Sequence, residues 1–150
     1  MIAVVQRVKK AKVSVENNKI SEINNGLLIL LGITHTDTNE DVDWLSNKIV
    51  NLRIFDDANG VMNKSCIDVN GDIITVSQFT LFARTKKGNR PSYIDSAPNT
   101  IAVPLYELFI KKLDNLLNKK TFSGIFGANM QVELCNDGPV TIIIDTKNKT

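Results

Sequence analysis

The run Leu27-Leu28-Ile29-Leu30-Leu31-Gly32-Ile33 constrains this chain more than any other stretch of it. Apolar side chains follow one another without alternation, so neither face of the segment can meet water. Such a run is expected to be a central strand covered on both faces. The fold must therefore supply packing layers on two sides of one sheet. A chain of 150 residues with 43% hydrophobic content can do so from one compact domain, residues 1–150, without disulfides or a structural metal. Leu27 to Leu31 is also far too short to span a bilayer, which takes about 20 apolar residues.

Strands are expected around it. Ile2 to Val15 is rich in Val with Lys and Arg interspersed, which suits a half-buried strand pair, and Asn17-Asn18 supplies the polar turn to the next strand. Asn24-Asn25-Gly26 is a second turn signal. Asp56-Asp57-Ala58-Asn59-Gly60 and Asn70-Gly71 read as hairpin turns, the latter opening a strand from Asp72 to Val76. Two closing strands, Asn129 to Cys135 and Val140 to Asp145, flank a glycine-proline turn.

Two helices complete the pattern. Val42, Leu45, Ile49 and Leu52 fall at three- and four-residue steps, with Thr38 and Asp41 placed to form a capping box and Trp44 beside the stripe. Leu105, Phe109, Leu113, Leu116 and Leu117 form the face of the second. Pro104 is either a first-turn proline or lies inside a helix begun near Pro98. Between strand and helix, Arg84 to Asn99 reads as an ordered loop. Several hairpins with only two helices point to an α+β domain with an antiparallel or mixed sheet.

Function is narrowed first by what is missing. With 18 Lys and Arg against 16 Asp and Glu, no global field draws the chain to nucleic acid, so any RNA contact requires a local patch. Cys66 and Cys135 lie far apart and lack metal or redox spacing, so reduced and mostly buried thiols are expected. The N-terminus reaches Gln6-Arg7 before any signal-peptide apolar stretch can form, and a cytoplasmic protein is expected. No metal site and no cofactor are expected, since there is no H-E-x-x-H and no His/Cys cluster. His35 is the only histidine, and its turn-like Thr34-His35-Thr36-Asp37 setting suits a surface or capping role better than a catalytic triad.

Two short segments remain as candidates for chemistry: Ser77-Gln78-Phe79-Thr80-Leu81 and Asn136-Asp137-Gly138-Pro139-Val140-Thr141. Each ends an apolar run with residues whose hydroxyls, N–H groups and carbonyls can face a ligand. Taken alone, Ser77 and Thr80 could simply terminate a strand, with Thr80 bonded to a local carbonyl. Phe79 and Phe126 could be core residues, Gly138-Pro139 a strand-entry turn, and Arg7 an exposed strand arginine. Arg84, Lys86, Lys87 and Arg90 could form a solvated basic loop.

These segments resemble the signature of the D-aminoacyl-tRNA deacylases. Gln6-Arg7-Val8, Gly26-Leu27-Leu28, Asn51-Leu52-Arg53-Ile54-Phe55, Lys87-Gly88-Asn89-Arg90-Pro91-Ser92 and Phe126-Gly127-Ala128-Asn129-Met130-Gln131-Val132 extend the resemblance in family order over nearly the whole chain. The resemblance implies a β-barrel-like core with helices outside, assembled as a homodimer. It also implies hydrolysis of the ester between a D-amino acid and the 3′ end of tRNA, and action on mischarged glycyl-tRNA. Ser77, Phe79 and Thr80 become the catalytic candidates, with Gln78, Phe126, Gly138, Pro139 and Arg7 binding substrate. In the resembled family the glycine-proline peptide is cis and its carbonyls project into the partner's pocket, and Arg7 matches a position that holds that turn.

Mechanistically, no His, Lys or Cys in the adjoining motif can take a proton from Thr80, so water is favoured as the attacking group. The substrate's own 2′-hydroxyl would position it, and N–H groups around Phe79 and Thr80 would hold the oxyanion. Lys86, Lys87 and Arg90 would clamp acceptor-stem phosphates. The competing readings are a general esterase with Thr80 as covalent nucleophile, and a non-catalytic RNA-binding module.

Overall fold

Strand β3 (Gly26–Gly32) occupies the central position its composition requires. In the computed structural model, which describes residues 1–150, it pairs antiparallel with the first half of β1 (Ile2–Val15) and parallel with β6 (Asp72–Ser77). Leu27, Ile29 and Leu31 point to one side, into a core shared with Val42, Leu45 and Ile49 of helix α1 (Asn39–Asn51) and Leu105, Phe109 and Leu113 of helix α2 (Asn99–Leu117). Leu28 points to the other, into a smaller cluster with Val8, Ala11, Val13, Ile23, Ile74 and Val76. The second layer is thus built by the sheet itself. The far half of β1, with β2 (Asn18–Ile23) beside it, curls over the back of β3 and β6.

The outcome is an α+β domain with a mixed, nearly closed, barrel-like sheet and two helices outside it. The sheet runs β2-β1-β3-β6-β7, with β7 (Phe122–Ser123) at one end and β8 (Met130–Asp145) on the other side of β1. A separate small hairpin joins β4 (Phe55–Asp56) to β5 (Met62–Lys64).

Several local expectations are corrected. Residues 2–15 form one 14-residue strand, not a strand pair; its hairpin to β2 turns at Glu16 and Asn17, both left-handed at φ 50° and 63°. The two expected closing strands are one element, β8, whose limbs both pair with β1 while Asp137 to Val140 swell outward opposite Arg7. Asn70-Gly71 is not a hairpin turn, because β5 pairs with β4 and β6 lies parallel to β3, a pairing that needs a crossover. Of the two readings of Pro104, the helix begun after Pro98 is the one observed. Cys66 is buried, and burial pushes its thiol up to about 12, whereas Cys135 is exposed, contrary to expectation.

Helix α1 begins as its sequence requires. The Asp41 carboxylate accepts from the Thr38 N–H at 2.8 Å, satisfying a donor that the helix start leaves free. Asp41 also receives Lys147 Nζ at 2.8 Å, which ties the C-terminal segment to this helix. Trp44 packs against the main core from its margin, with Lys149 Nζ 4.5 Å above its ring. No helix is long and apolar enough to cross a membrane.

Candidate active site

Strands β3 and β6 end side by side, with Leu31 opposite Ser77. There the chain leaves the sheet: the Gln78 N–H bonds back to the Leu31 carbonyl at 2.8 Å, and Phe79–Phe82 form a single 3-10 turn. The turn sits tightly on β3, since a Cβ on Gly32 would lie 3.0 Å from Leu81 Cβ and 3.1 Å from the Gln78 carbonyl oxygen. Glycine is needed there for close approach.

A cleft of about 570 Å³ opens at this corner. Ser77, Gln78 and Phe79 form one wall, Ala97 and Asn99 at the start of α2 another, and the segment from Phe126 to Met130 the third. Not one of its 16 lining residues is an Asp, Glu, His, Lys, Arg, Cys or Tyr. The polar groups are hydroxyls, side-chain amides and backbone.

Gln78 Nε2 donates to Thr80 Oγ1, so the threonine oxygen is held as an acceptor with no base beside it. The first hydrogen bonds of the 3-10 turn are donated by Leu81 to Gln78 and by Ala83 to Thr80. The N–H groups of Phe79 and Thr80 precede them and have no acceptor within the turn. Phe126 is held edge-on against Tyr106, ring centres 5.3 Å apart, and the Tyr106 hydroxyl donates to the Thr75 carbonyl at 2.8 Å. Burial drives that phenol well above its usual value, so it stays protonated and structural. Phe79 is 56% exposed, which removes the core reading for it.

Among the candidates, the structure brings Ser77, Gln78, Phe79 and Phe126 together in the cleft, with Thr80 one hydrogen bond behind Gln78. Gly138, Pro139 and Arg7 lie elsewhere. Arg7 pairs with Leu27, four residues and about 13 Å along β3 from Leu31. Arg7 is not the exposed arginine its strand position allows: it is buried and knits three elements. Nη1 donates to the Ile54 carbonyl at 2.6 Å, and Nε to the Asp137 carbonyl at 3.2 Å. Asn136 Nδ2 donates across the base of the bulge to the carbonyls of Arg7 and Val140, each at 3.0 Å. The Gly138-Pro139 peptide is cis. Gly138 has φ 120°, and a Cβ there would stand 2.9 Å from Val140 Cγ2 and 3.1 Å from Arg7 Nη2.

Lys86, Lys87 and Arg90 are exposed at the tip of the ordered loop, and none has a carboxylate within ion-pair distance. Arg84 differs from them. It is bound to Asp95 through two nitrogens and braces the loop, leaving the basic patch with three free cations. His35 is exposed and outside the cleft, its Nε2 3.0 Å from the Ile94 carbonyl. No three His, Cys, Asp or Glu side chains converge anywhere as metal ligands. The walls contributed by Ser96, Asn99 and Asn129 went unassigned from sequence; only Asn129, inside the segment beginning at Phe126, carried a signal.

The cleft thus offers hydroxyls, side-chain amides and backbone groups, and no charged side chain lines it. A family model described as D-Tyr-tRNA(Tyr) deacylase matches residues 4–145, and the chain belongs to that family. Proteins named D-aminoacyl-tRNA deacylase from Cytophaga hutchinsonii and Flavobacterium psychrophilum are 60% and 58% identical to it, each over 99% of both chains. The solved structure of a c-Myc DNA Unwinding Element Binding Protein superposes with a TM-score of 0.90 at 41% identity, covering 97% of this chain and 98% of that one.

Proposed function

We propose that this protein hydrolyses the ester of D-aminoacyl-tRNA, and of glycyl-tRNA, releasing the free amino acid and tRNA, with water as the nucleophile. The observation that carries the mechanism is the absence of any titratable side chain among the cleft's lining residues. A covalent Thr80 mechanism needs a base beside the hydroxyl, and the neighbour here is the Gln78 amide, a donor. The chemistry then rests on the substrate. Its 2′-hydroxyl, adjacent to the ester, positions the water; the water oxygen bonds to the ester carbon while the Phe79 and Thr80 N–H groups hold the oxyanion, and as the bond to the ribose oxygen breaks a water proton passes to that oxygen, leaving the free amino acid and a ribose hydroxyl.

Chirality is assigned to the Gly138-Pro139 bulge. D and L isomers carry the same groups, so only an obstacle where the L side chain points can separate them. A backbone wall held by Arg7 and Asn136 suits that task, and glycine, having no side chain, passes it. Because the bulge lies apart from the cleft within one chain, the reading includes a homodimer in which each copy's bulge closes the other's cleft. The unpaired outer edge of β8 and the 70% exposure of Ile143 on it support this.

Single-turnover deacylation of matched D- and L-tyrosyl-tRNA, with light scattering for mass, tests the reading. D-selective loss by a dimer is expected. Loss of both isomers would indicate a general esterase, and binding without hydrolysis an RNA-binding module.

A further inference from the structure

Two exposed aromatic side chains stand together at the cleft, and a third exposed apolar residue follows them in the chain. Phe79, Tyr93 and Ile94 are 56%, 39% and 68% exposed. Phe79 lines the cleft, and Tyr93 is the next group outward, its ring centre 5.0 Å from that of Phe79 at an interplanar angle of 77°. Exposed apolar residues scattered singly are ordinary, but an exposed aromatic pair in contact, one ring of it lining a cleft, calls for an occupant.

The backbone that carries Tyr93 is braced on both sides. Arg84 and Ser92 exchange two backbone hydrogen bonds at 2.8 and 3.0 Å, and Thr34 Oγ1 donates to the Asp95 carbonyl at 2.6 Å. The Ser96 N–H closes a turn on the Tyr93 carbonyl at 3.0 Å. Little order remains to be gained when something binds. The same loop carries Lys86, Lys87 and Arg90, cations without carboxylate partners. An exposed aromatic pair with unpaired cations on the same loop suits a single-stranded nucleic acid, with bases on the rings and phosphates on the charges.

Resting on the function proposed above, we infer that Tyr93, beside Phe79, is a stacking platform for the nucleobase that precedes the terminal adenosine of the substrate. The cleft takes the last nucleoside and its ester. The chain leaving the cleft crosses the Phe79–Tyr93 lip before its phosphates reach the basic tip. Tyr93 is thereby a substrate-positioning residue, set apart from the reacting atoms.

The test is equilibrium binding of the trinucleotide CCA and of adenosine 5′-monophosphate to full-length wild type, Tyr93→Ala, Tyr93→Leu and Tyr93→Phe. Wild type should bind the trinucleotide more tightly than the mononucleotide. Tyr93→Ala should lose about 5- to 150-fold of that advantage, the range that about 1–3 kcal/mol of base stacking implies. Tyr93→Phe should keep it, whereas Tyr93→Leu, which retains apolar bulk without a ring, should lose it even if the alanine variant folds poorly. On D-aminoacyl-tRNA the loss should fall on KM more than on kcat. Equal trinucleotide and mononucleotide affinities in wild type would overturn the inference, as would an advantage preserved in Tyr93→Leu. So would a change of oligomeric state in Tyr93→Leu, which would make the aromatic pair a contact between copies of the chain. Because the binding measurement needs no turnover, failure of the hydrolytic reading would show separately, as an inactive wild type that still prefers the trinucleotide.

Discussion

Replacing Arg7 by Met separates the guanidinium's hydrogen bonds from its bulk. Methionine keeps much of the apolar stem but removes the donors to the buried Ile54 carbonyl and to the Asp137 carbonyl. A hydrogen bond from a charged donor contributes about 1.5–3 kcal/mol, and a buried acceptor left without a partner adds its own desolvation cost. The accompanying ion pairs add little, because Asp56 is 52% exposed and Asp137 29% exposed, both at 3.3 Å. Relief from burying a charge offsets part of the loss. The net expectation is a destabilisation of about 2–3 kcal/mol, or a Tm lower by about 4–12 °C for a chain of this length. Thermal unfolding followed by circular dichroism measures it. The same variant frees the Asp137 end of the bulge, so single-turnover assays should show the D/L rate ratio narrowed by at least about tenfold, equivalent to about 1.4 kcal/mol of transition-state discrimination. Arg7→Lys keeps the charge without the fork and should recover only part of either property. A variant with wild-type Tm would refute the assignment of Arg7 as a brace; a lowered Tm with an unchanged D/L ratio would remove the bulge from selectivity.

Other consequences are open to direct measurement. Thr80→Ala should retain measurable turnover, since the hydroxyl is an acceptor for Gln78 and not an activated nucleophile; an aminoacyl adduct on Thr80 detected by mass spectrometry would contradict this. The pH profile of single-turnover kcat/KM should carry no ionisation from a side chain in the cleft, because none is titratable; a bell shape that moves with a protein substitution would show a missed acid or base. Neutralising Lys86, Lys87 and Arg90 should weaken whole-tRNA binding and flatten the slope of log K against log salt by about 2–3, as loss of three phosphate contacts requires. For Asp41, burial pushes the carboxyl up, but hydrogen bonds from Lys147 and the Thr38 N–H outweigh it and hold the group well below its usual value. Its contribution is therefore present above the unfolded carboxylate range near about 4 and is lost as pH falls. Lys147→Ala should be less stable than wild type at pH 7, with the gap closing in acid, as denaturant titrations at both pH values would show.

Sequence reasoning succeeded where one local pattern had one physical outcome. The unbroken run at Leu27 to Ile33 could only be a strand covered twice, and Thr38 with Asp41 could only be useful at a helix start. It failed where a local signal was consistent with two topologies. Gly138-Pro139 carries every mark of a turn between strands, yet the strand resumes in the same direction, because β1 is long enough to pair with both limbs of β8. Ile2 to Val15, expected as a strand pair, is one strand, and its exposed Lys9 and Lys10 lie where its register on β8 slips. Asn70-Gly71 is the sequence of a hairpin, yet β6 pairs with β3, Gly26 opposite Asp72, a long-range parallel pairing invisible to any local pattern. In the site, the hydroxyl motif was legible and Asn99 was not, since a polar residue at a helix start is expected whether or not a cleft lies beside it.

The placement of the two motifs has a mechanistic logic of its own. Oxyanion donors must sit within about 3 Å of one oxygen and need a stiff support; the 3-10 turn, to which that role is proposed above, is fixed to the end of β3 by the Gln78–Leu31 bond and by the close approach at Gly32. A chirality barrier has a different requirement. It must touch neither the ester nor the water, or it would slow the D substrate along with the L. If the bulge on β8 is that barrier, as proposed above, its place away from the cleft and the bonds from Arg7 and Asn136 behind it would let it be rigid without sharing atoms with the chemistry. Under the proposed dimer the barrier and the donors come from different copies, so the ester-cleaving groups and the rejecting wall are brought together only by assembly. The monomer would then present the cleft without the wall, and selectivity, more than rate, would be the property that assembly confers.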